Sequence, residues 1–252
     1  MNCRLFTLLF TKTSKKGYIM SNKYVDFVSD KDFLMAVKKV VDAYPSNNNV
    51  STVEVLTKSK NTIDEIKTVF DISVNKIGFE EWARNEISRQ SDKTINNKIG
   101  EFHQEILGKV DGWIDLGVGD ETEVDLKKED NSVFIELKNK YNTMNSSSKE
   151  TCRRKLEDIL KIYPDATVYW AYIIEKDYKS VDTVWEYQGR RDERVRKISG
   201  EKVYELVTGD PKALESVFEA IPIAIEDILG EEYALTYNTM DSLNKYKNFV
   251  FK

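Results

Sequence analysis

Glu136 and Lys138 stand two residues apart in the stretch FIELKNKYNTMN, residues 134–145, and Asp125 stands in the preceding run TEVDL. Successive side chains on a strand point to opposite faces. Phe134, Glu136 and Lys138 therefore share one face, and Val133, Ile135 and Leu137 the other. In TEVDL the same alternation turns Val124 and Leu126 inward and sets Glu123 and Asp125 on the opposite face. A hairpin turning at residues 129–132 would place Asp125 directly opposite Glu136, with Cβ atoms about 5 Å apart. Two carboxylates that close repel unless a cation lies between them. Mg²⁺ accepts one or two carboxylates together with retained waters and phosphate oxygens. Lys138, next along the face, could orient or deprotonate a water and stabilise charge developing on a phosphate. A solvated Glu–Lys ion pair has the same spacing, so spacing alone leaves both readings open.

The flanking sequence supplies the elements that such a site needs. Residues 93–108, KTINNKIGEFHQEILG, place Ile95, Ile99, Phe102 and Ile106 on one helical face, with Ser91-Asp92 as the expected cap and Gly108 as the stop. A strand-rich stretch runs from 112 to 138. Ser147 and Glu150 form a capping-box pattern for a helix carrying Cys152, Leu156, Ile159, Leu160 and Tyr163. Pro164-Asp165 ends it, and ATVYWAYIIEK reads as a buried strand. Upstream, the periodicity predicts helices over 24–45, 51–69 and 78–90. Downstream come an arginine-rich loop (189–196), β-like runs around Val195 and Tyr204 with a turn at Gly200, a helix over 211–229 and a less regular tail. The fold class is thus α/β: an N-terminal helical segment (20–92), a core (93–175) and a C-terminal mixed segment (176–252), together one compact domain. Residues 1–19 read as an upstream extension ahead of a second start at Met20.

Composition narrows the chemistry. The chain has 252 residues, 40% hydrophobic, and carries a net charge of −5. Cys3 and Cys152 lie too far apart in sequence for a zinc motif and fit reduced thiols of a cytoplasmic protein. A single histidine, His103, excludes multi-histidine metal sites, so carboxylates and lysines must carry any catalysis. His103 itself reads as a helix-packing residue between Phe102 and Ile106. No apolar run approaches the roughly 18 residues of a membrane span.

The D…ExK arrangement of Asp125, Glu136 and Lys138 resembles the PD-(D/E)XK nuclease motif, with Val124 where a proline is expected. The longer strings ELKNKYNTMNSSS, IGEFHQEILG, the Asp111–Trp113 triplet DGW, and VRKISGEKVYELVTGD (195–210) are similar to the type II restriction endonuclease family that cleaves GGNCC. This resemblance spans roughly Ile95 to Leu229. It implies a restriction-endonuclease-like core, a mixed sheet flanked by helices, and site-specific double-strand DNA cleavage by a homodimer. It further implies Mg²⁺ as cofactor, with Mn²⁺ able to substitute, and a separate methyltransferase protecting the same site. Asp125 and Glu136 would be the metal ligands and Lys138 the catalytic lysine. The preceding helix offers Glu101, Gln104 and Glu105 as a further group, and Asp115 is a rival first ligand.

The −5 average hides two basic clusters. Residues 138–155 hold six basic side chains against Glu150, and residues 190–197 hold five against Asp192 and Glu193. Asn139, Lys140, Asn142 and Thr143 leave the catalytic strand toward where DNA would lie, and could equally form a capped loop. Arg191 and Arg194 could read guanines or belong to a solvated charged loop. A repair or junction-resolving nuclease and a catalytically inactive DNA-binding protein remain alternatives on these residues.

Overall fold

The computed structural model describes residues 22–44, 62–117, 122 and 124–251. The expected second start at Met20 and the 51–61 part of the helix expected over 51–69 lie outside the described residues; of the rest, only the residues from Glu65 onward are helical. Seven α-helices and a six-stranded sheet make up the described chain, with the strands in the order β1-β2-β3-β4-β6-β5. The strands are β1 (Trp113–Asp115), β2 (Leu126–Lys128), β3 (Val133–Lys140), β4 (Thr167–Ile174), β5 (Asp182–Val184) and β6 (Val195–Ser199). β3, β4 and β6 run parallel at the centre, while β1, β2 and β5 pair antiparallel toward the edges.

Helices cover both faces, which is why β4 is buried along nearly its whole length. One face packs on α1 (Asp30–Val41), α3 (Phe79–Leu107), α5 (Glu201–Thr208) and α6 (Ala213–Leu229) through Phe33, Phe102, Ile106, Leu126, Ile135, Tyr204 and Val217. The other packs on α4 (Ser146–Ile162) through Phe134, Cys152, Leu156, Val168 and Trp170. The α4 helix is the crossover that lets β3 and β4 run parallel. The expected restriction-endonuclease-like arrangement, a mixed sheet between helices, is therefore present.

Several local expectations are corrected. No break occurs at Ser91-Asp92, because α3 is one 29-residue helix. Glu86 binds both Arg89 and Gln90, and Thr94 and Asn96 bond back to the carbonyls of Gln90 and Asp92, so the polar stretch is internally satisfied. The first helix starts only at Asp30, where the Ser29 hydroxyl caps it. The α4 helix is capped by Asn145 rather than by a Ser147–Glu150 box, and Glu150 pairs instead with Arg190.

The run around Tyr204 is helical. Gly200 takes φ +57° and redirects the chain, and Val203, Tyr204 and Val207 bury one face of α5. The tail is also helical, as α7 (Tyr237–Val250), capped by Thr236, and α2 spans Glu65–Asn75. Finally, Val124 does not share a face with Leu126. The chain bends at Asp125, so Val124 joins the α4-side cluster while Leu126 joins the other.

Candidate active site

Register places the site. Leu126 pairs with Ile135 and Lys127 with Phe134 in the β2–β3 hairpin, so one step further along Asp125 stands opposite Glu136. The Asp125 N–H donates to the Ile135 carbonyl at 3.0 Å, and its Oδ2 accepts the Leu137 N–H at 2.6 Å. The carboxylate is thereby locked onto the backbone between Glu136 and Lys138.

Lys138 joins the two acids. Its Nζ lies 2.6 Å from Glu136 Oε1 and 3.6 Å from Asp125 Oδ2. Burial raises the Asp125 carboxyl above its ordinary range; Lys138 opposes this and Glu136 adds to it. Burial pulls the other way on Lys138, but Asp125 and Glu136 together outweigh it and raise the ammonium. The group is therefore a firm cation in this state.

A residue that motif reasoning missed completes the cluster. Lys155, on α4, places its Nζ 2.6 Å from Glu136 Oε2. The available signal was helical spacing: Cys152, Leu156 and Ile159 are the buried stripe of α4, and Lys155 flanks it. Only the three-dimensional structure shows that this stripe covers the Glu136 face. Cys152 lies in the same shell, where burial, reinforced by Glu136, pushes its thiol up to about 12; it is a packed neutral thiol, not a nucleophile.

The remaining sequence candidates are distributed around this cluster. Asp115 pairs with Leu126, whose side chain packs toward α3, so it belongs to the opposite sheet face from Asp125. There it accepts from the Gln104 amide at 2.8 Å and from the Gly117 N–H at 2.9 Å. Gln104 is thus engaged with Asp115. Glu105 is paired with Lys39 of α1, and Glu101 with Lys98 on the exposed side of the helix. None of the three is brought to Asp125 by a contact. His103 is buried against the Tyr204 hydroxyl at 2.6 Å, as a packing histidine would be.

Asn139 alternates away from Lys138 and sits beside Gly100 of α3, its amide oxygen buried without a hydrogen-bond partner. Lys140 and Asn142 are exposed, and the Thr143 hydroxyl closes the turn onto the Lys140 carbonyl at 2.9 Å. Arg191 is paired with Glu193 and Glu186, and Arg194 with Asp192 and the Pro164 carbonyl. Both arginines are solvent-exposed, so these pairs are weak and exchangeable.

Residues 25–230 match the family model described as Eco47II restriction endonuclease. The chain belongs to the Eco47II restriction endonuclease family. It is 34% identical over 220 residues to the type II restriction enzyme Sau96I of Staphylococcus aureus, covering 82% of each chain. It is 30% identical over 244 residues to the type II restriction enzyme Eco47II of Escherichia coli, covering 90% of this chain and 98% of that one. The resemblance carried by ELKNKYNTMNSSS therefore holds, and this family member is a type II restriction enzyme, a site-specific deoxyribonuclease. Enzymes of this class act on DNA and generally use divalent metal ions. Among the described residues no helix is long and apolar enough to cross a membrane.

Proposed function

We propose that this enzyme cleaves both strands of DNA at GGNCC, or a close variant such as GGWCC, in a Mg²⁺-dependent reaction in which Mn²⁺ can substitute. The observation that carries the reading is the lysine-bridged pair Asp125–Lys138–Glu136 on adjoining strands. The target sequence rests on the NKYNTMN string that follows the pair.

Asp125 and Glu136 would hold the cation. They offer an all-oxygen pair, and no group of three or more His, Cys, Asp or Glu side chains suited to a metal occurs among the described residues. Such a hard, two-carboxylate set fits an ion that fills its remaining positions with water and phosphate oxygens. When bound, the cation supplies Lewis-acid stabilisation of the phosphate and a more acidic water.

The protein's own groups do the rest. Lys138, kept protonated by the carboxylates, donates to the phosphate oxygen on which charge builds. The water oxygen bonds to phosphorus and gives up a proton to solvent, the bond from phosphorus to the 3′ oxygen breaks, and that oxygen takes a proton from solvent, so a 5′-phosphate and a 3′-hydroxyl result. Leu137 holds Asp125 in line through its N–H. A two-fold target matches a homodimer, each copy cutting one strand. A separate methyltransferase acting on the same sequence would protect the host genome.

Digestion of plasmid DNA with Mg²⁺, followed by sequencing of the ends, tests the reading. Discrete fragments ending at GGNCC-type sites, abolished by EDTA, support it. Smears, a preference for branched DNA, or cleavage that survives EDTA overturn it.

A further inference from the structure

The α2 helix carries apolar residues on two sides, and only one side is covered. Ile72, flanked by Ile63 and Ile77, packs on Trp82 and Ala83 of α3, and the Trp82 indole donates to Asp71 at 3.3 Å. Ile66, Val69, Phe70 and Val74 lie on the opposite side and are between 62% and 73% exposed. Ile66, Phe70 and Val74 recur at four-residue steps with Val69 beside them, so the four form one stripe. No residue of α2 is buried.

The four side chains present on the order of 500 Å² of apolar surface, a patch of the size that marks a contact site on a soluble protein. Two such faces together remove about 1,000 Å² from water, which is what a specific interface needs. The stripe is also symmetric about its middle. Ile66 and Val74 lie four residues to either side of Phe70. Two copies packed antiparallel about a two-fold axis at Phe70 therefore set each Ile66 against Val74 of the partner subunit. The same axis brings the acidic start of α2, Asp64 and Glu65, beside Lys76 of the partner subunit and opposes the two helix dipoles.

From this geometry we infer that the outer face of α2 is where two copies of the chain join, α2 packing antiparallel on α2 of the second copy. The inference rests on the reading that two copies act together, each cutting one strand. The α3 helix gives the contact a fixed relation to the chemistry. Its N-terminal part carries α2 through Trp82, and Gly100 in its C-terminal half packs on Asn139, the neighbour of Lys138. The helix runs unbroken over 29 residues, about 43 Å. Joining the two α2 helices therefore holds two catalytic strands at a set spacing along the DNA.

Sedimentation velocity of the full chain at micromolar concentration, without DNA, tests it. Wild type should run as a dimer. Phe70→Glu should run as a monomer, its dimer dissociation constant raised at least about 100-fold. Its circular dichroism spectrum should be unchanged, because α2 keeps Ile72 on Trp82. Ile66→Lys and Val74→Glu test the register: each alone should separate the copies, and both in one chain should associate at least about tenfold more tightly than either. Failure of that pair to restore the dimer overturns the antiparallel two-fold. Phe70→Glu remaining dimeric overturns the placement on α2 and leaves strand-by-strand cleavage by a dimer standing. Loss of helical signal in Phe70→Glu shows a face covered by the chain itself and also overturns the placement. A monomeric wild type overturns the inference, and double-strand cleavage by that monomer overturns the dimer reading with it.

Discussion

The Leu137 N–H donates to Asp125 Oδ2 at 2.6 Å, tying the first carboxylate of the cluster to the strand that carries the second. That bond falls between Glu136 and Lys138 in sequence, so the backbone of β3 sets the spacing of all three functional groups. Burial raises the Asp125 carboxyl and Glu136 raises it further, and Lys138 offsets this only in part. A carboxyl raised in the folded state favours folding only while it is protonated. At neutral pH, where it is ionised in both states, it disfavours folding.

Asp125→Asn should therefore stabilise the cation-free protein at pH 7 to 8 while abolishing cleavage. A gain of about 1 kcal/mol corresponds to a rise of roughly 2–4 °C in Tm for a chain of this size. Addition of Mg²⁺ should raise the wild-type Tm and leave the variant unmoved, since only a folded state that binds the ion gains from it. Thermal melts with EDTA and with Mg²⁺ provide the measurement. A variant less stable than wild type in EDTA would refute the account of Asp125.

Lys138→Met tests the lysine separately from the ligands. The change removes the donor proposed for the phosphate but keeps the length of the side chain. Cleavage should fall by about 10²–10³, the range for losing one transition-state donor. Binding of target duplex in a gel-shift assay should persist, because the contacts along the rest of the DNA are untouched. Cleavage within a factor of a few of wild type would exclude Lys138 as the catalytic lysine.

The reach of the sequence can be read from these residues. The facing of Asp125 and Glu136 was legible because strand alternation and a short hairpin leave one register, and 126↔135 is that register. The family was legible in NKYNTMN, yet those residues turn out to cap and pack as much as to point outward. Thr143 closes a turn and Asn145 caps α4. What could not be read were relations between elements far apart in sequence. Lys155 reaches Glu136 because α4 lies over one particular sheet face, and nothing local in either segment says which. The α3 helix was split at Ser91-Asp92 for a related reason. Propensity marked a cap, but Glu86 and its neighbours supply pairs that carry the helix through.

His103 gives a pH test outside the site. Burial against Tyr204 lowers it to about 4 from an ordinary 6.5. The unfolded chain takes up the proton near 6.5 and the folded one only near 4, so stability must fall as pH drops through that window. The loss approaches about 3 kcal/mol by pH 4. His103→Gln removes this component. In urea unfolding from pH 7 to 4, the stability of wild type relative to the variant should decline by that amount, and parallel curves would contradict it.

The arginines divide by burial, and substitution should reveal the division. Arg153 has a side chain 1% exposed; it bonds Glu157 at 2.8 Å and the Trp185 carbonyl, and its guanidinium lies over the Trp185 ring. Removing it leaves Glu157 with Arg190 alone, strips the Trp185 carbonyl of this donor and opens the packing between α4 and the Trp185 segment. Arg153→Ala should cost about 2–5 kcal/mol, the range for truncating a large buried side chain. Arg191, with a side chain 58% exposed, contacts only Glu193 and Glu186 in its surroundings of exposed charge. Arg191→Ala should leave the urea unfolding curve superimposable on that of wild type. If Arg191 also reads a guanine, the same variant should weaken target binding by about one to two orders of magnitude while leaving nonspecific DNA affinity much less affected. Equal losses on both DNAs would place it among phosphate contacts, and no loss on either would return it to the solvated loop.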